Sequence, residues 1–319
     1  MKLILPGGSG QVGTLLARVF HAEGHEVVIL GRTNKDTKWR SLIWDAKTLG
    51  SWAAELNGAD VVINLAGKNV NCRYTPENQQ EILSSRVDST RVVGEAIAQA
   101  DNPPKLWLQS STATIYSHRY DAANDELTGI IGGAEPNAPE KWRFSIEVAK
   151  AWERAVDEAH TPNTRKIKLR SAMIMSPDRS GIFDTLLRLV RFGLGGKAGN
   201  GKQYVSWIHE KDFVAAIHWL IEHDSFEGVV NLSSPHPLPF AEFMKVLRES
   251  WGMPIGLPAT RWMLELGTLL LRTETELVLK SRRVVPKRLE QGGFQFHYPE
   301  WSEASKELIK RWRTTRTEV

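Results

Sequence analysis

The chain has 319 residues, 41% hydrophobic and 24% charged, a globular balance that excludes a disordered or low-complexity protein. Lys plus Arg number 41 against 37 Asp plus Glu, and a net charge of +4 is no nucleic-acid footprint. Its single cysteine, Cys72, excludes an intrachain disulfide and suits a reducing compartment.

Met1-Lys2-Leu3-Ile4-Leu5 begins like a signal peptide, but Pro6-Gly7-Gly8 interrupts it well short of the ~7–15 apolar residues such a leader needs. Residues 262–271 are strongly apolar, yet they hold Glu265 and fall short of the ~20 residues that span a bilayer. A soluble, cytoplasmic protein is expected, with neither membrane nor nucleic acid as partner.

In chain order, an apolar run at 2–5 feeds a glycine loop. Residues 11–23 then carry Val12, Leu15, Leu16, Val19 and Phe20 at helical spacing. Gly24 ends that helix, and 26–30 is a β-branched strand, completing a unit of βαβ size. Further strands are expected at 42–44, 60–65, 105–109 and 166–170, with helices at 49–56, 76–100 and 142–159. This alternation predicts an α/β fold: a Rossmann-type, doubly wound parallel sheet with helices on both faces. Beyond residue 170 the pattern changes to a helix at 183–192, a glycine-rich run at 193–201 and a helix at 212–222 with Asp212 placed to cap it. A strand at 229–232, a loop at 234–239, a helix at 240–250 and a mostly helical remainder follow. Residues 1–170 read as the Rossmann domain and 171–319 as a smaller, mostly helical substrate lobe that also returns strands to the main sheet.

The loop Gly7-Gly8-Ser9-Gly10-Gln11-Val12-Gly13 sets glycines at 7, 10 and 13 between strand and helix. There, backbone N–H groups can approach a pyrophosphate at the positive end of the helix. In a βαβ setting the triplet reads as a dinucleotide site; a glycine turn that merely packs helix on strand is the alternative. An NAD site would want Asp or Glu at the end of the second strand. This chain has Leu30-Gly31-Arg32, then Lys35 and Lys38. A guanidinium suits a 2′-phosphate through paired, charge-assisted bonds, so NADP is favoured over NAD. A solvated surface charge is the alternative for Arg32.

The loop spacing, Asn64-Leu65-Ala66-Gly67, Ser110-Ser111-Thr112-Ala113-Thr114-Ile115-Tyr116 and His209-Glu210-Lys211-Asp212 together resemble the extended short-chain dehydrogenase/reductases. The resemblance narrows to an atypical branch labelled predicted nucleoside-diphosphate-sugar epimerases. It is carried by Trp44-Asp45, Ser85-Arg86-Val87, Gly193-Leu194-Gly195-Gly196, Ser206-Trp207-Ile208-His209, Val285-Pro286 with Leu289, and Gly293-Phe294 with Phe296 and Tyr298-Pro299. These segments span the chain. The resemblance implies that Gly31 and Arg32 meet the adenosine ribose and its phosphate. It implies that Leu65, Ala66 and Gly67 line the adenosine side, that Glu81 and Arg86 face the cofactor from the next helix, and that Ile174 sits beside the nicotinamide. An exposed helical charge pair is the alternative for Glu81 and Arg86.

The superfamily's hydride chemistry uses a Tyr-x-x-x-Lys pair with a Ser or Thr, the Lys lowering the phenol's pKa. Thr112 holds the Ser/Thr position. Anchored on Glu153, however, the Tyr position is Ser145 and the Lys position is Ala149. Lys150 is adjacent, but one residue turns a helix by about 100°. Tyr116 is the remaining candidate phenol, with packing or substrate stacking as its alternative role. Thr112 and Tyr116 are therefore the catalytic candidates.

Gly199-Asn200-Gly201-Lys202-Gln203 resembles the loop that borders a nucleotide-sugar pyrophosphate, which makes Lys202 and Gln203 substrate candidates, although Val205 stands where an Arg is common. His209 reads as a buried structural residue, and no HxH or HExxH spacing marks a metal site. Trp142, Trp152, Trp207 and Trp219 read as core. Two functions stay open. One is an NADP-dependent oxidoreductase or nucleotide-sugar epimerase, acting on a small-molecule substrate. The other is a catalytically silent NADP-binding sensor. A monomer and a homodimer paired through the helices at 76–100 and 142–159 are both open.

Overall fold

The structure, a computed structural model, describes residues 1–33, 37–135, 139–258 and 276–317. Lys35 and the apolar run 262–271 lie outside the described residues. The strands are β1 (Lys2–Pro6), β2 (Glu26–Gly31), β3 (Arg40–Ile43), β4 (Val61–Asn64), β5 (Leu106–Thr112), β6 (Arg165–Ser171), β7 (Met173–Met175), β8 (Tyr204–Val205), β9 (Trp207–His209), β10 (Gly228–Leu232) and β11 (Leu238–Pro239). The helices are α1 (Gln11–Ala22), α2 (Pro76–Gln99), α3 (Glu140–Glu158), α4 (Ile182–Arg191), α5 (Glu210–Glu222), α6 (Phe240–Trp251), α7 (Glu276–Leu279), α8 (Lys287–Gln291) and α9 (Trp301–Thr317).

Seven strands pair in the order β10-β6-β5-β4-β1-β2-β3, every pair parallel. This is the doubly wound order with β10 added at one edge. The side-chain period of two divides each central strand between two apolar faces. Leu3, Leu5, Val27, Ile29, Ile63 and Leu108 pack with α1 and α5, while Ile4, Val28, Leu30, Val62 and Trp107 pack with α2 and with Trp44 and Trp52. Helix α2 starts where its sequence says it should: Thr75 accepts from the Asn78 N–H, Pro76 occupies the first turn and Glu77 faces the positive end. The expected helix at 49–56 is a 3-10 turn, Ser51–Leu56.

The later half closes a second core from Phe183, Leu187, Trp207, Phe243, Met244 and Trp301, joined by Leu308 and Trp312. Two short pairings, β7 with β9 and β8 with β11, form separate two-stranded sheets. Trp207 and Trp152 are core as expected; Trp142 instead stands edge-on to His118, 4.7 Å between ring centres.

One cap is corrected. Helix α5 begins at Glu210, and its cap is His209, whose Nδ1 accepts from the Lys211 N–H at 3.1 Å. Asp212 is buried inside the first turn and accepts from the N–H groups of His297 and Tyr298 at 2.7 and 3.0 Å. It thereby ties down the chain that leads into α9.

With Nδ1 accepting, the His209 proton lies on Nε2, which donates to Glu307 at 3.0 Å. Burial drives the ring's pKa from 6.5 down to about 4, against the opposing pull of Glu307. Between these values the unfolded chain binds a proton that the folded chain refuses. The contribution is complete above pH 6.5 and is lost as pH falls toward 4. At ~1.4 kcal/mol per unit it amounts to about 3 kcal/mol. Urea unfolding of wild type and His209→Asn, each at neutral pH and near the folded value, checks this. The variant keeps a capping side chain and should lose about 2–3 kcal/mol less than wild type across the interval.

Candidate active site

The ends of β1 and β4 meet where the strand order reverses, the place at which open α/β sheets form a ligand crevice. Gly7 follows β1 with φ 74°, and a Cβ on it would lie 2.5 Å from the Ala66 Cα and 2.6 Å from its nitrogen. Gly13 is equally constrained: its Cβ would fall 2.3 Å from the Gly8 Cα, so α1 presses directly on the turn. A buried polar chain fixes the facing edge. The Ala66 N–H donates to Asn64 Oδ1 at 3.1 Å, Asn64 Nδ2 to Gln109 Oε1 at 3.0 Å, and Trp107 Nε1 to the same oxygen at 3.1 Å.

The N-cap of α1 is Gly10, which makes no side-chain capping bond, so Gln11, Val12 and Gly13 open the helix with their N–H groups toward the crevice mouth. Gly31 abuts Ser9, since a Cβ on Gly31 would lie 3.5 Å from the Ser9 side chain; Arg32 beyond it is exposed. Ile174, Val12 and Leu65, from three separate segments, pack against the same core face. The Gln11 side chain lies against Gly181.

Glu81 and Arg86 do not pair with each other. Glu81 is exposed and takes the Lys68 ammonium, which holds its carboxyl below the usual range. Arg86 turns inward: it donates to the Lys68 and Ile82 carbonyls, each at 3.0 Å, packs on Gly67 and lies 5.0 Å over the Trp152 ring. Burial lowers its guanidinium to about 10.

At the end of β5, Thr112 Oγ1 accepts from the Thr114 N–H at 3.1 Å. Tyr116 is buried, donates its hydroxyl to Asn231 Oδ1 at 2.9 Å, and has the Arg170 guanidinium 4.9 Å over its ring. Burial raises this phenol. Arg170 in turn forks onto Glu153, both bonds at 2.8 Å, and Ser111 donates to Glu153 at 2.6 Å. These bonds give Tyr116 the surroundings of a packing residue. Lys150 pairs with Glu147.

A second phenol lies beside the Tyr position. Tyr74, from the loop after β4, brings its hydroxyl 3.5 Å from Ser145 Oγ. This corrects the expectation that Tyr116 is the remaining phenol near the site. Ser145 donates to Glu276 Oε2 at 2.6 Å. Lys280 and Arg282 follow, donating to the carbonyl and hydroxyl of Thr114 at 2.8 and 3.0 Å. Sequence reasoning missed all four. The signal available was an acid and a base four residues apart around the apolar Leu277-Val278-Leu279, but nothing local says that such a pair is buried.

A cavity of about 840 Å³ opens beyond the Thr112–Ser117 turn, lined among others by His118, Tyr120, Trp142, Asn200, Gln203 and Leu279. That volume falls in the ~300–1,000 Å³ range of small-molecule sites. Gln203 borders it from a buried position, with Nε2 donating to the Ala198 carbonyl at 3.0 Å; Lys202 is exposed.

The glycine turn fits a dinucleotide on geometric grounds: it sets glycines at the uncapped start of α1, where backbone N–H groups lack intrahelical partners. Residues 3–233 match the NAD dependent epimerase/dehydratase family, and residues 259–308 match a domain of unknown function, DUF1731. The bovine epimerase family protein SDR39U1 is 30% identical over 97% of this chain and all of its own length. The crystal structure of human SDR39U1, isoform 2, with NADPH is 28% identical, with TM-score 0.84 over 97% of this chain and 99% of that one. A nucleoside-diphosphate sugar epimerase from Corynebacterium glutamicum is 25% identical, with TM-score 0.74, over 99% of this chain and 61% of that one.

Gly7→Ala tests the turn. The left-handed backbone costs a side chain roughly 1–2 kcal/mol, and the overlap with Ala66 adds to it. Unfolding should shift by at least ~2 kcal/mol, and calorimetry should register dinucleotide affinity down about tenfold or more.

Proposed function

The chain belongs to the NAD dependent epimerase/dehydratase family, and from that membership we propose that it binds NADP and interconverts carbinol and carbonyl on a small polar substrate, by oxidoreduction or by epimerisation. The observation that carries this reading is the uncapped start of α1 at the point where the strand order reverses. Ile174 would stand beside the nicotinamide, and Thr112 with Ser145 would meet the substrate's oxygen. When bound, the nicotinamide supplies or accepts the hydride; the chain's own residues bind, orient and exchange the proton. Gly7, Ser9, Gly10, Gln11, Val12 and Gly13 would hold the pyrophosphate, Gly31 and Arg32 the adenosine phosphate end, and Leu65, Ala66 and Gly67 the adenosine side. Arg86, its guanidinium over the Trp152 ring, would brace Gly67, while Glu81 would act through Lys68.

NADP is preferred to NAD because Arg32 stands where an acidic residue would bind a free ribose hydroxyl. The NADPH bound by the human relative supports the same choice. A nucleotide sugar is the substrate class we favour, on the name of the Corynebacterium relative and on a cavity with aromatic and amide lining. Lys202 and Gln203 would border its phosphates. The substrate lobe is residues 171–319, and the single cysteine supports a cytoplasmic setting.

A second reading, a catalytically silent NADP-binding sensor, is favoured by Ser145 and Ala149 at the family's Tyr and Lys positions. Incubation with NADPH and a panel of nucleotide sugars and small carbonyls separates the two. Nicotinamide absorbance and sugar stereochemistry must both be followed, since epimerisation leaves absorbance unchanged; conversion is the expected result. For the cofactor, calorimetry should find NADPH bound more tightly than NADH by wild type, with the preference reduced about tenfold or more in Arg32→Ala. An unchanged preference removes Arg32 from the account.

A further inference from the structure

Where the family sets a tyrosine and a lysine on one helix, this chain gathers ionisable groups from three places. Tyr74 comes from the loop after β4, Ser145 from α3, and Glu276, Lys280 and Arg282 from the segment at α7. Ser145 donates to Glu276 Oε2 at 2.6 Å, and Tyr74 stands 3.5 Å behind Ser145. Lys280 Nζ is 3.8 Å from Glu276 Oε1, and both side chains are buried, 0% and 2% exposed. The other end of the same segment holds Thr114, whose N–H is bonded to Thr112 Oγ1. One strap thus touches the partners of both positions expected to face the substrate oxygen. A buried carboxyl beside a buried ammonium costs several kcal/mol of desolvation, and a packed apolar pair would be as stable or more so. The arrangement makes chemical sense if the carboxyl exchanges a proton.

We propose that Glu276, acting through the Ser145 hydroxyl, is the proton-exchanging group that replaces the family's tyrosine, and that Lys280 is the positioning cation that holds it. The inference rests on the oxidoreductase reading above. In the reducing direction, with a dihydronicotinamide bound to supply the hydride, the carbonyl π pair would form the new O–H bond with the Ser145 proton. The step runs with Glu276 protonated: its O–H then donates to Ser145 Oγ, the reverse of the bond Ser145 donates to the carboxylate, and Ser145 recovers its proton from the acid. The carboxylate so formed faces the Lys280 ammonium until solvent reprotonates it. Burial lowers Lys280 to about 8, opposed by Glu276, so its charge is held at neutral pH. The other charged or titratable groups facing this pair are Tyr74, His118, Glu135 and Arg282.

The test compares wild type, Glu276→Gln, Glu276→Asp, Lys280→Met and Ser145→Ala, all full length. Each is measured for NADPH affinity by fluorescence and for reduction of the carbonyl or nucleotide sugar that wild type converts. General acid–base groups contribute about 10²–10⁴-fold, so Glu276→Gln, which keeps the bond from Ser145, should lose about a hundredfold or more in kcat, with NADPH affinity held within about threefold. Glu276→Asp should recover part of the loss. The readout beyond activity is ¹³C NMR titration of the Glu276 carboxyl, recognised by its absence in Glu276→Gln. Removing a neighbouring cation favours the protonated acid, so Lys280→Met should raise its midpoint by about one unit or more and move the alkaline limb of the reduction profile upward with it. Wild-type conversion with Glu276→Gln within about threefold of it overturns the proposal and leaves the oxidoreductase reading standing. A carboxyl midpoint unmoved by Lys280→Met overturns the role of the cation. NADPH binding without conversion of any probe overturns the oxidoreductase reading itself, and the proposal falls with it.

Discussion

The backbone contact between Gly7 and Ala66 is the constraint on which the rest of the molecule is arranged. It requires a residue without a Cβ, in a left-handed conformation, at the end of β1. It also requires the end of β4 to be held still, which the Asn64–Gln109–Trp107 chain does from inside the sheet. With these two edges fixed, α1 starts at a set height above the crevice, and its unpaired amides point to one place. The strand order sets the ends of β1 and β2 on one side of that crevice and the ends of β4, β5 and β6 on the other.

The other half of that edge is held by charge and not by close backbone approach. Glu153, Arg170, Tyr116 and Asn231 form one buried network joining α3, β6, the β5 turn and β10. Its bonds are satisfied, so its worth lies in fixing one arrangement more than in net stability. It ties up Tyr116, whereas Ser145 bonds to Glu276 in a separate cluster. Asp212 and His209 do the corresponding work at the lower lobe, binding the approach to α9 to the start of α5.

The sheet was legible because both of its faces are apolar and its strands alternate with helices of the right length. The glycine turn was legible because its residue types admit few other uses. Legibility stopped where function depends on contacts across long separations. The buried states of Glu276 and Lys280 follow from the turn they pack against, 166 residues earlier for Lys280 and Thr114, and no local pattern encodes that. The cap of α5 failed for a smaller reason: Asp212 has the chemistry of a cap, but β9 runs directly into the helix, so the first available side chain is His209. Helix propensity alone could not distinguish a 3-10 turn at Ser51–Leu56 from an α-helix, since both satisfy the same short apolar spacing.

The crossing of the Glu276–Arg282 segment over the Thr114 turn has a consequence for biosynthesis. Domains form from the N-terminus as the chain emerges during translation. The glycine turn is made of early residues and leaves the ribosome first. The Glu276–Arg282 segment follows only near the end of synthesis. A nascent chain therefore carries the turn proposed to hold a carrier long before the segment proposed to act beside it.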